Sequence, residues 1–123
     1  MVIVWAAKDE KSEYDCGMSE TFVQIIELIQ NGEVRVSEHG YDELANDGLY
    51  ARNIVEGAKL GVVVEDYPDF HKGPCVLVLQ QDAAGQPIHI VWGIPKGKTS
   101  PAVVITAYRP DPKRWTEDFL NRK

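Results

Sequence analysis

Residues 76–94 read VLVLQQDAAGQPIHIVWGI, and this stretch decides the fold. The runs at 76–81 and 88–94 are apolar, rich in β-branched residues and of strand length. DAAGQ at 82–86 is a short glycine-containing turn, so the two runs are expected to form an antiparallel hairpin. In the second arm, alternation puts Ile88, Ile90 and Trp92 on one face and His89, Val91 and Gly93 on the other. A histidine inside such an apolar strand must find a polar partner or border a cleft.

Outward from the hairpin, two more β-branched runs occur at 62–65 and 102–108. Four strands with short connections and no helix between them predict an antiparallel meander. In the last run, alternation separates Val103, Ile105 and Ala107 from Val104, Thr106 and Tyr108. If the faces align, His89, Thr106 and Tyr108 gather on one side of the sheet. Upstream, helical spacing predicts three helices: one from Phe22 to Ile29 behind an N-cap at Ser19, one over 38–47 between Ser37 and Gly48, and one over 51–60 before Gly61. Downstream, Asp111 followed by Pro112 reads as a cap and first helical position. That predicts a closing helix over 112–120 with Trp115 and Phe119 turned inward. The fold class is therefore α+β, with N-terminal helices, a four-stranded antiparallel sheet and a C-terminal helix. Its helices are expected on the face of Ile88, Ile90 and Trp92. The opening MVIVWAA suggests a short strand or docked arm.

The chain has 123 residues, room for one sizeable core. Within that single domain, 1–34 reads as an acidic extension carrying one helix and 35–123 as the α+β domain. At 44% hydrophobic and 26% charged residues the composition is that of an ordinary globular protein. No apolar run approaches the roughly 20 residues of a membrane span, and no signal-peptide pattern opens the sequence. A cytoplasmic protein without membrane contact is the expectation, and Cys16 and Cys75, with no CxxC spacing, read as reduced thiols. The net charge of −6 argues against a surface that coats nucleic acid. Its distribution is uneven: −5 over 1–34, −4 over 35–66 and +3 over 67–123. The back half can gather anion-binding donors from Lys96, Lys98, Arg109, Lys113 and Arg114, while the acidic front half suits a basic protein partner.

Chemistry-bearing residues are few. His39 falls in the first turn of the second helix, where the helix end disfavours its imidazolium and Asp42 and Glu43 favour it again. His71 lies in the loop PDFHKGP. The three histidines lack the close spacing of zinc motifs, and neither a glycine-rich phosphate loop nor GxSxG is present. No metal and no cofactor are expected.

Between residues 35 and 115 the chain resembles the domain of unknown function 4258 family. The matching stretches are SEH at 37–39, DYP at 66–68, GPCVLVL at 73–79, QPIHIVWGI at 86–94 and VVITAYRPDPKRW at 103–115. Members of that family resemble the barnase, EndoU, colicin and RelE group of small metal-independent ribonucleases, often bacterial toxins. The resemblance therefore implies a RelE- or barnase-like fold and a toxin-like endoribonuclease, with RNA as substrate and an antitoxin-like or other protein as partner. It assigns catalysis to His39, His89, Thr106 and Tyr108, and phosphate contacts to Lys98 and Arg109. One histidine would take the ribose 2′-hydroxyl proton and the other would protonate the leaving oxygen. Where relatives carry arginines four and eight positions after the helix histidine, this chain has Glu43 and Asp47, which repel phosphate. The competing expectation is a non-catalytic protein-interaction module on the same scaffold, its acidic helices engaging a basic partner.

Overall fold

The computed structural model describes residues 19–123. The arm or strand expected from MVIVWAA lies outside the described residues.

The three expected helices form, and their ends are set by local chemistry. Helix α1 spans Glu20–Gln30; the Ser19 side chain accepts the Phe22 N–H at 3.1 Å. It closes on Gly32 at φ +77°, with Gly32 N–H bonded to the Ile29 carbonyl and Glu33 N–H to that of Leu28. Helix α2 spans Glu38–Asn46. Ser37 Oγ accepts the Gly40 N–H at 2.9 Å, and Gly48, at φ +68°, ends the helix in the same double-bonded turn. Helix α3 spans Ala51–Gly57 and tightens into a 3-10 turn over Ala58–Leu60.

The sheet has five strands: β1 Val34–Val36, β2 Val62–Tyr67, β3 Cys75–Gln81, β4 Pro87–Gly93 and β5 Ala102–Tyr108. Their order is β1-β5-β4-β3-β2. The expected meander is present as β2 to β5, every neighbouring pair antiparallel. The four-stranded expectation is corrected by β1, which pairs parallel to β5 through Val34 and Ala102. Three residues are too short to reveal a period of two.

A further correction concerns β5. Val91 pairs with Thr106 but Trp92 with Val104, so Ile105 is an extra residue in the strand. This bulge changes the phase of the side chains. Ala102, Val104 and Ala107 join the core with Ile88, Ile90 and Trp92, where the helices contribute Phe22, Ile25, Leu44 and Ile54. His89 and Tyr108, paired in register, face the other side. Ser37 Oγ donates to the Ile105 carbonyl at 3.0 Å, tying the start of α2 to the bulge.

The closing helix over 112–120 does not form. Asp111 caps a single turn, its Oδ1 accepting the Lys113 N–H at 2.9 Å. Thr116 Oγ1 then donates to Asp118 Oδ1, and that same carboxylate oxygen accepts the Leu120 N–H. Such side-chain oxygens compete with helical hydrogen bonding, and Phe119 adopts φ +61°. The segment folds back instead, with Trp115 bridging to Arg122. Trp115 is buried as expected, but it packs against His89, on the face of the sheet away from the described helices. Among the described residues no helix is long and apolar enough to cross a membrane.

Candidate functional site

The site is the face of the sheet around His89 that no described helix covers, and the His89 ring is fully buried. Its Nε2 lies 2.9 Å from the Phe119 carbonyl oxygen and its Nδ1 3.1 Å from the Tyr108 hydroxyl. A carbonyl only accepts, so Nε2 carries the proton and donates to it. In the neutral ring Nδ1 is then an acceptor, and the Tyr108 O–H donates to it. Trp115 stands edge-on to the imidazole at 4.4 Å, and the Arg122 guanidinium lies 4.7 Å over the Trp115 ring. Arg122 is held in turn by Glu65, at 2.7 Å from Nε and 3.1 Å from an Nη. The tail 110–123 therefore covers His89 from outside.

Burial pushes the His89 pKa down, against the hydrogen bond it donates to the Phe119 carbonyl and the field of Glu65. Burial likewise raises the Tyr108 phenol. Hydrogen bonding to Arg122 holds the Glu65 carboxyl below its usual range. These directions agree with a neutral imidazole between a phenol and a carbonyl.

The lowered His89 pKa has a consequence for stability. Unfolding releases the ring to an ordinary pKa of about 6.5, so the unfolded chain binds the proton first. Stability from this group is fully present above about pH 6.5 and falls as pH drops toward the lower folded value. Urea unfolding at pH 7.5 and pH 5.5 is expected to show this loss. His89→Gln, which keeps one donor and one acceptor, should remove most of it; an unchanged pH dependence in that variant would refute the assignment. Glu65 titrates below this window, since its ordinary value is about 4.3 and the fold lowers it.

The remaining candidates are dispersed. Thr106 shares the His89 face two register pairs along, opposite Val91. His39 is exposed on α2, whose Leu44 enters the core on the opposite side of the sheet. The start of α2 is tied to β5 by Ser37, whereas the ring of His89 is held by Tyr108, Phe119 and Trp115. Lys98 is exposed in the β4–β5 loop. Arg109 donates to Asp82 at 2.9 Å, and its backbone N–H to Asp47 Oδ2 at 3.3 Å. Asp47 thus ties the end of α2 to the end of β5. Asp82 also accepts the Ala84 and Gln86 N–H groups, so it shapes the hairpin turn while holding Arg109.

Sequence reasoning missed Glu65 and Arg122, whose ion pair closes the tail over the sheet. Their separation by 57 residues leaves no local signal. Beside them opens a cavity of about 320 Å³, bounded by Tyr67, Phe70, Leu77, Val91, Tyr108 and Arg122.

No curated protein and no solved structure shows significant similarity to the chain. Residues 36–109, more than half of the chain, match the family described as Domain of unknown function (DUF4258), and they include β2 to β5, His39, His89 and Tyr108. The ordered SEH, GPCVLVL, QPIHIVWGI and VVITAY segments lie within that match, and the chain belongs to the DUF4258 family.

Proposed function

We propose that this chain is a non-catalytic protein-interaction module that engages a basic partner. The observation that supports it most is the closed setting of His89: the ring is fully buried and both nitrogens are engaged within the fold. A general base needs a free lone pair within reach of its substrate, and the Nδ1 lone pair of His89 is taken by Tyr108. His39, the other neutral-pH proton carrier of the endoribonuclease reading, is exposed on α2, and the groups that hold the His89 ring are Tyr108, Phe119 and Trp115. The charge favours a basic partner. The helical layer exposes Glu20, Glu27, Glu38 and Asp42, and the net charge is −6. Such a field speeds encounter with a cationic surface and weakens as salt rises.

Incubation of the purified chain with single-stranded RNA in the presence of a chelator tests the reading. The expected result is no cleavage above the buffer control, unchanged in Glu43→Arg. Cleavage leaving 2′,3′-cyclic phosphate ends, lowered about 10²-fold or more by His39→Ala, would establish the ribonuclease reading instead.

A further inference from the structure

Four of the seven large apolar side chains that stand exposed among the described residues are Leu60, Val62, Tyr67 and Phe70. All lie within residues 60–70, along or beside β2. This strand is the last in the sheet, and no described strand pairs with its outer side. A sheet margin presents a row of unpaired backbone N–H and C=O groups, a template for another extended chain. Two cavities lie against β2, on the side of its neighbours in the sheet. One, of about 380 Å³, lies at its start against Leu60, Val62 and Leu79; the other is the 320 Å³ cavity at its end against Tyr67 and Phe70.

The register defines what each face of an added strand would meet. Val62 and Tyr67 pair with Leu79 and Cys75, whereas Val63 and Asp66 pair with Val78 and Val76. Val76 and Val78 belong to the helix-side core, so Asp66 lies on that side of the sheet. Side chains alternate along an added strand. The register shifts between Val63 and Glu65, leaving Val64 as an extra residue, and this puts Val62 and Tyr67 on one face; one set would fall beside them and the other beside Asp66. Residues 60–70 hold Glu65, Asp66 and Asp69 with no lysine or arginine. Arg122 neutralises Glu65, while Asp66 and Asp69 stand exposed.

We infer that β2 is a docking strand for an extended segment of a partner protein in which apolar side chains alternate with lysine or arginine. The inference rests on the interaction reading above and names its surface. A second copy of β2 is the poorer occupant, because antiparallel self-pairing sets the same acidic run against itself and like charges across a strand pair oppose association.

The test uses two acetylated, amidated hexapeptides, one alternating valine with lysine and one alternating valine with glutamate. Six residues at about 3.3 Å each match the length of β2. Amide NMR titration of the full chain is expected to show the valine–lysine peptide shifting residues 60–70, with the valine–glutamate peptide about fivefold weaker or more. Asp66→Lys, at an exposed position, should reverse that preference without altering the rest of the spectrum. Shifts centred elsewhere, equal binding of the two peptides, no binding of either at millimolar concentration, or an unchanged preference in Asp66→Lys would each overturn the docking strand. A chain that neither cleaves RNA nor binds these peptides loses the docking strand alone. RNA cleavage overturns the interaction reading whatever the peptides do.

Discussion

Trp92→Ala is expected to bring the protein close to global unfolding. The indole is fully buried at the centre of the core, on β4 beneath the helices. Truncating a buried tryptophan costs about 3–5 kcal/mol through lost burial and the cavity left behind. A second loss follows from the hydrogen bond. Trp92 Nε1 donates to Gln80 Oε1 at 2.9 Å, and Gln80 Nε2 donates to the Ile54 carbonyl at 2.9 Å. Gln80 is itself buried, so removing the indole strands its carboxamide oxygen, at about 1–3 kcal/mol. The total is comparable with the roughly 5–15 kcal/mol stability of a whole domain. Trp92→Phe keeps most of the packing and isolates the hydrogen-bond loss. Urea unfolding measures both variants, and a loss below about 2 kcal/mol for Trp92→Ala would show that the Trp92–Gln80–Ile54 connection does not hold β4, β3 and α3 together.

Trp115→Ala carries the next largest effect, about 3–5 kcal/mol by the same truncation argument. Trp115 is 4% exposed and forms the wall of the His89 pocket. Its loss also removes the surface on which Arg122 rests, so the tail and its ion pair with Glu65 loosen together. Water then reaches the imidazole, which lifts the His89 pKa back toward its ordinary value and weakens the decline in stability between pH 6.5 and pH 5.5. A loss under about 1 kcal/mol in urea unfolding would mean that the tail is only loosely attached.

The two arguments separate what is local from what is not. Trp92 was assigned to the core by alternation with Ile88 and Ile90, a pattern carried by consecutive residues. Trp115 was expected to be buried by a closing helix, and it is buried without one. Thr116 and Asp118 take backbone hydrogen bonds that a helix would need, and the tail is held by Glu65 instead. The inward side chain was legible because its apolar bulk demands cover. The path of the backbone was not, because it depends on a partner far along the chain.

The candidate site divides in the same way. Strand alternation puts His89 beside Tyr108 on one sheet face if the two strand faces align, and the structure places them together. For Tyr108 the agreement survives a bulge at Ile105 that the sequence does not announce. His39 and His89 are another matter, since each sits in an element whose local form was foreseen. Only the tertiary packing leaves His39 exposed on α2 while the tail buries His89.

By itself, the sequence determined helices α1 and α2 with their serine caps and glycine stops, the antiparallel run from β2 to β5 and the apolar face of β4. All of these arise from interactions between residues a few positions apart or from side-chain periods that repeat within one element. Tertiary structure alone decided the parallel pairing of β1 with β5, the bulge that turns Val104 inward and the tail folded over His89. Each of these depends on which surfaces meet after the chain collapses: β1 is recruited by the backbone of β5, and His89 is sealed by a carbonyl 30 residues away. No period or motif in a linear sequence records such a meeting, because its free energy comes from burial and hydrogen bonds shared between distant segments.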